Sequence, residues 1–315
     1  MQIKRGVAQG FSGLDDFAFV ESELAEPGRG EVTITITAAG VKPSDLKHTL
    51  RGDPAKLPTP IGYEVAGRLS AVGPDTTIAS GGGAIGDRVV AFRVYGGYAT
   101  AVTEPAADVF AAPDGMPDEQ AANLLLAGTT AADMLHRVHA GTLGGEVIVV
   151  HGASGAVGAA VLQLARLRGI TVIGTCGQHG DELVRSFGGI PVRYGNGVLE
   201  RIRAVAPGPV AAVLDLAGTD EAVDAALQLV TDRSRIVTAA APARAAADGF
   251  VAVAGTSPDS AGYRDSVRSE IIKLASSGDL VVPMAGSYPL AEAVTALRRV
   301  SAGHAGGKIA LLTGQ

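Results

Sequence analysis

The sequence predicts an α/β protein, a mostly-β N-terminal domain followed by a doubly wound parallel sheet. Three observations predict it. Short β-type runs broken by turn residues fill the first 118 positions, and long helical segments alternate with buried apolar strands after Pro117. One of those strands, at residues 147–151, runs straight into a glycine-rich turn and an amphipathic helix.

In the first half, residues 31–37 (EVTITIT) alternate Val32, Ile34 and Ile36 with three threonines, the period of a half-buried strand. Residues 64–72, 87–92 and 97–102 read as further strands, and residues 27–30 (PGRG) and 80–83 (SGGG) as turns or loops. A small barrel or sandwich is expected there. Residues 119–140 read as a helix with one glycine interruption. They are followed by strand 146–151, helix 156–168, strand 171–175, helix 181–187 and strand 191–194. Helix 198–204, strand 211–216, helix 220–230 and strands 235–240 and 250–254 continue the alternation, with residues 242–248 expected as a mobile loop. The last segment gives a helix and then a strand within residues 290–312. The domain boundaries expected are 1–118, 119–260 and 261–315, the last segment partly returning to the first domain.

A length of 315 residues suggests about two domains, and 47% hydrophobic residues are ample for their cores. With 4% aromatic residues and no Trp, base stacking is a poor fit. A net charge of −6 and the lack of any Lys/Arg run argue against nucleic acid. The opening residues have no apolar segment behind them, so no signal peptide is expected, and no apolar stretch is long enough to span a bilayer. Cys176 is the only cysteine, which excludes an intrachain disulfide and a cysteine-cluster zinc site. The expectation is a cytoplasmic protein with a small-molecule substrate and neither a nucleic-acid nor a membrane partner.

Residues 147–158 (VIVVHGASGAVG) carry the strongest motif. A strand, a glycine turn and a helix in that order bring backbone N–H groups and a helix N-terminus against a pyrophosphate. Gly155 lets the backbone approach the phosphates and Gly158 lets the helix pack close to the strand. Ala153 stands where the strict fingerprint has Gly, with Gly152 just before it, and a tight turn of no special use is the plain alternative. The second strand ends GTCGQH, with Gln178 and His179 at its tip and no acid there. A 2′-phosphate is therefore tolerated, with His179 or Arg193 as its partner, which favours NADPH over NADH. Asp181 and Glu182 follow closely and argue the other way, unless Asp181 caps the next helix.

Six segments in order resemble the medium-chain dehydrogenases/reductases over essentially the whole chain. Residues 39–45 (AGVKPSD) are similar to that family's early GVNPxD or GVCHxD segment, and residues 60–67 (PIGYEVAG) to its PxxGxExxG segment. Val72-Gly73 and then GDRV at 86–89, GGYA at 96–99, AGTTA at 127–131 and GKIAL at 307–311 follow. The resemblance implies a GroES-like catalytic domain and a Rossmann domain. It also implies Ser154, Gly155, Ala156, Val157 and Gly158 at the pyrophosphate, Tyr194 beside the adenosine, and Leu216, Ala217 and Gly218 after the fourth strand. Homodimers are usual among the relatives.

The departures matter as much. Zinc-dependent members have Cys where this chain has Lys42 and His where it has Tyr63, and their third ligand falls near Ala127. Of the usual donors only Glu64 remains, so no zinc is expected, and the chain resembles the quinone oxidoreductase and enoyl reductase branches. Without a metal, hydride transfer to a quinone or an α,β-unsaturated carbonyl compound is better supported than alcohol oxidation. The groups expected to meet the developing charge are Lys42, His48, Tyr63 and Thr130. Each has a plainer alternative: a solvated lysine, a surface histidine, a tyrosine filling the space of a lost ligand, and a threonine whose register is blurred by Thr129. Asp45 and Glu64 are expected to organise local hydrogen bonds, and Cys176 to pack. An enoyl-thioester reductase and a non-catalytic NADPH-binding redox sensor remain as rival readings.

Overall fold

The structure, a computed structural model, describes residues 1–142, 144–303 and 306–314. The chain divides into two compact units. The first comprises Met1–Leu126, Ile272–Gly278 and Val282–Gln315, the second Ala127–Ile271 and Asp279–Val281.

The first unit is the expected strand-rich one. Its main sheet runs in the order Met284–Pro289, Lys308–Leu312, Glu31–Val41, Glu64–Val72, Arg88–Phe92 and Val109–Ala111, with Ala101–Pro105 pairing Glu31–Val41 as well. Val32, Ile34 and Ile36 are fully buried, as their alternation requires. Gly67 is set where a Cβ would stand 2.1 Å from the Thr35 carbonyl oxygen, so these two strands cross more closely than any side chain permits. The C-terminal strand Lys308–Leu312 is inserted between Met284–Pro289 and Glu31–Val41. A second sheet orders Phe17–Glu23, Gln2–Ala8 and Thr59–Pro60.

The second unit is a six-stranded parallel sheet in the order Ile190–Arg193, Thr171–Cys176, Val147–His151, Val210–Asp215, Ile236–Thr238 and Val251–Ala252. Every residue of Val147–His151 is buried, the mark of a strand covered on both faces. Helices Ala156–Leu167, Asp181–Ser186, Val198–Val205 and Asp220–Leu229 connect the strands, close to where the sequence put them.

Three expectations are corrected. Residues 242–248 form a helix, Pro242–Asp248, with Pro at its start and Gly249 at φ +76° as its C-cap. It is fastened by Arg244, whose guanidinium bonds Asp220, Asp224 and Asp248, a distant clamp that an alanine-rich stretch does not advertise. The strand expected at 97–102 lies at Ala101–Pro105, because Gly96 and Gly97 turn back to the Gly62 carbonyl. The helix expected over 119–140 is two, Asp118–Ala121 and Leu124–Arg137. At the break Asn123 donates its side-chain amide to the carbonyls of Glu119 and Ile309.

Candidate functional site

The second unit places the glycine turn at the carboxyl ends of its central strands, where ligands of doubly wound sheets bind. Gly152 adopts φ +78°, and its N–H donates to Thr175 Oγ1 on the neighbouring strand at 3.2 Å. A Cβ on Gly158 would stand 2.5 Å from the Gly152 carbonyl oxygen and 2.6 Å from Ala153 Cα, so the helix rests directly on the turn. Ala153, the departure from the strict fingerprint, is accommodated by the adjacent strand. A Cβ on Gly174 would meet the Ala153 Cβ at 2.6 Å, so the missing glycine has moved next door.

Gly155 is the N-cap of helix Ala156–Leu167 and offers no side chain to it, leaving the first-turn N–H groups for an anion. Gly155 is exposed, Ser154, Ala156 and Val157 are partly so, and Gly158 is buried beneath them. The turn after the fourth strand is equally ordered: Ala217 and Gly218 donate their N–H groups to Asp215 Oδ1, and Leu216 donates to the His151 carbonyl. A cradling backbone turn at the carboxyl ends of the central strands, followed by a helix N-terminus that no side chain caps, fits a dinucleotide pyrophosphate.

Residues the sequence reading passed over hold this cradle from below. His151 is buried, with Nδ1 3.2 Å from Thr175 Oγ1 and Nε2 lacking a partner. Burial pushes its imidazole down to about 4, against the pull of the Asp215 carboxylate. Asp215 Oδ2 accepts from Thr238 Oγ1 at 2.7 Å. The signal for all four was available: each is a polar residue at the carboxyl end of an otherwise apolar parallel strand.

Beside the cradle, Gln178 and His179 stand exposed on a short turn, and Tyr194 is 56% exposed just after strand Ile190–Arg193. Asp181 is not a helix cap. It is the first residue of helix Asp181–Ser186, the cap being Gly180. Its carboxylate accepts from Arg193 Nη2 at 2.7 Å and from Cys176 Sγ at 3.2 Å. Burial, then the Asp181 bond and charge, push the Cys176 thiol up to about 12, so it packs as a neutral group. Thr129 and Thr130 are both buried within helix Leu124–Arg137.

The first unit holds the other candidates. Lys42 is not a solvated lysine: it is 2% exposed, and its Nζ lies 3.0 Å from Glu64 Oε2. Glu64 Oε1 in turn accepts the N–H groups of Leu125 (2.5 Å) and Leu126 (3.2 Å), the start of helix Leu124–Arg137. Asp45 Oδ2 accepts from the Lys42 N–H and from the Tyr98 hydroxyl, both at 2.9 Å. Burial raises the Asp45 carboxyl above its ordinary range, and burial together with Asp45 raises the Tyr98 phenol. Lys308, on the C-terminal strand, is also buried, and burial with the like charge of Lys42 brings its ammonium down to about 8. Tyr63 is half-buried with its ring edge-on to Phe92 at 6.0 Å, and His48 is half-buried at the end of the short helix Pro43–Lys47. Lys42 and Glu64 are therefore brought together, whereas Tyr63 and His48 stand on separate supports.

No group of three or more His, Cys, Asp or Glu with metal-binding geometry occurs among the described residues. No helix among them is long and apolar enough to cross a membrane.

Residues 28–114 match the alcohol dehydrogenase GroES-like domain and residues 191–311 the zinc-binding dehydrogenase family. The synaptic vesicle membrane protein VAT-1 homolog of Rattus norvegicus is 33% identical over 225 residues, covering 69% of this chain and 54% of that protein. The chain thus spans about half the length of this curated relative. A mycocerosic acid synthase-like polyketide synthase of Mycobacterium tuberculosis is 29% identical over 95% of this chain and 15% of its own length. Among solved structures, a mycobacterial quinone oxidoreductase superposes with a TM-score of 0.82 at 28% identity, covering 98% of this chain and 99% of that one. A mycobacterial protein complexed with NADPH gives 0.83 at 29% identity with the same coverage.

Proposed function

The chain belongs to the medium-chain dehydrogenase/reductase superfamily, and from that premise we propose that it is a zinc-independent, NADPH-dependent reductase of quinones or α,β-unsaturated carbonyl compounds. The observation that carries the reaction class is the buried Lys42–Glu64 ion pair. At the positions where zinc-dependent relatives carry metal ligands, this chain has an ammonium bound to the one remaining carboxylate. A cation already neutralises that donor, and zinc needs several thiolate, imidazole or carboxylate donors.

Bound NADPH would supply a hydride to an electron-poor carbon of the acceptor. Negative charge then develops on the acceptor oxygen, and fixed positive charge or hydrogen-bond donors must meet it. Lys42 places an ammonium against Glu64 in the first unit, while the half-buried Tyr63 and His48 carry donors able to pass a proton. Thr130 is assigned to the nicotinamide end. The NADPH-complexed neighbour and the exposed backbone at Gly155 support the cofactor assignment.

A second reading, enoyl-thioester reduction, is favoured by the similarity to the polyketide synthase over 95% of the chain. One experiment separates them. NADPH oxidation is followed with an ortho-quinone, a para-quinone, an enone and a crotonyl thioester, each repeated with NADH and with a metal chelator. Chelator-insensitive turnover of quinone or enone is expected. Turnover confined to the thioester transfers the assignment to the second reading, and loss of activity with chelator removes the zinc-independent one.

A further inference from the structure

At the carboxyl ends of strands Thr171–Cys176 and Ile190–Arg193, three side chains close on one another. Cys176 and Arg193 are register partners in the parallel ladder. Asp181 Oδ2 takes the Arg193 Nη2 bond at 2.7 Å, and Oδ1 takes the Cys176 thiol at 3.2 Å. The turn that delivers Asp181 leans on the phosphate turn: a Cβ on Gly180 would stand 2.7 Å from Ser154 Cβ and Oγ. The backbone under Arg193 is pinned, because Arg201 donates to the carbonyls of Arg193, Gly195 and Asn196. Arg193 Nη1 is buried without a hydrogen-bond partner, so half of the guanidinium fork is unused.

This is where doubly wound sheets read the adenosine ribose, about 20 residues beyond the glycines. An acid there holds the hydroxyls of NADH, and an arginine holds the 2′-phosphate of NADPH. Here both are present and each is bound to the other.

We propose that Asp181 is a specificity-determining residue: as the built-in counter-ion of Arg193, it competes with the 2′-phosphate of NADPH for the guanidinium and keeps discrimination between NADPH and NADH shallow. The inference rests on the dinucleotide reading above. To engage a 2′-phosphate, Arg193 turns its free edge to the anion, and the Asp181 carboxylate then lies close to that added negative charge. To engage NADH, Asp181 offers its oxygens to the ribose hydroxyls. Attraction and repulsion come from adjoining groups and largely offset one another.

The test is direct binding, independent of turnover. The wild type, Asp181→Asn, Asp181→Ala and Arg193→Leu are titrated calorimetrically with NADPH, NADH, adenosine 2′,5′-bisphosphate and AMP. Two Asp181 variants are used so that one poorly folded protein does not decide the outcome. The wild type is expected to prefer NADPH by about tenfold or less. Both Asp181 variants raise that preference by about tenfold, and Arg193→Leu brings it to about one. The bisphosphate and AMP follow the same order. A wild-type preference above about a hundredfold, or Asp181 variants within about twofold of the wild-type ratio, overturns the proposal while the dinucleotide reading stands. If the wild type binds none of the four nucleotides, that reading fails and takes the proposal with it.

Discussion

Lys42 and Glu64, 3.0 Å apart and at most 2% exposed, each depend on the other for a counter-charge that water supplies elsewhere. Removing one partner leaves the other in a low-dielectric interior with only the weaker pull of Asp45 on Lys42 or of Lys308 on Glu64. Lys42→Met is therefore expected to destabilise the protein by about 3–5 kcal/mol in urea unfolding, whereas Lys42→Met/Glu64→Gln recovers most of the loss. If the positive charge also serves the reduction, the double variant regains stability while kcat stays low. Recovery of both confines the pair to a structural role. The sequence disclosed the residues of this pair but not their bond, since 42 and 64 are joined only by folding. It disclosed the glycine turn fully, because all its parts are contiguous. His151 and Asp215 escaped because each works through a partner on a neighbouring strand, and the bond of Asp181 to Arg193 escaped because the two are joined only by folding.

Gly158 shows how much an element can rest on one hydrogen atom. Its helix approaches the turn so closely that an added methyl would press on backbone, which cannot swing aside. Gly158→Ala is expected to cost about 1–3 kcal/mol and to weaken NADPH binding. Gly208→Ala, with nothing within 4 Å of the new Cβ, serves as the control. Equal behaviour of the two variants in thermal melts would contradict the close packing. Elements of this unit were legible because buried strands and amphipathic helices differ in period, and the sheet is built from their strict alternation. The helix Pro242–Asp248 was not, since its Arg244 holds it to Asp220 and Asp224, which lie outside the segment. The hairpin of Gln2–Ala8 and Phe17–Glu23 was missed too, its strands carrying charged residues among the apolar ones.

The two units carry buried acids and bases of opposite tendency. In the second, His151 titrates near 6.5 when unfolded and near 4 when folded. Between those values the unfolded chain binds the extra proton, so stability present above pH 6.5 is lost as pH falls, by about 3 kcal/mol in all. In the first, Glu104 accepts from the Tyr95 N–H, and burial lifts its carboxyl to about 7, with Asp108 and Glu31 adding to the rise and Arg5 opposing it. There the folded chain binds the extra proton, so its contribution is complete below pH 4.5 and lost as pH rises through 7. Scanning calorimetry at pH 7.5 and pH 5 is expected to show the unfolding of the second unit moving to lower temperature and that of the first resisting or reversing the shift. A uniform downward shift of all transitions would contradict this assignment. The insertion of Lys308–Leu312 beside Glu31–Val41 also bears on how the protein is made. A ribosome releases residue 41 long before residue 308, so the main sheet of the first unit must wait, with one flank unpaired, while the second unit emerges and folds. Strand Lys308–Leu312 thus joins the main sheet after residue 41 has long been free, and it brings Lys308 to the Lys42 charge cluster.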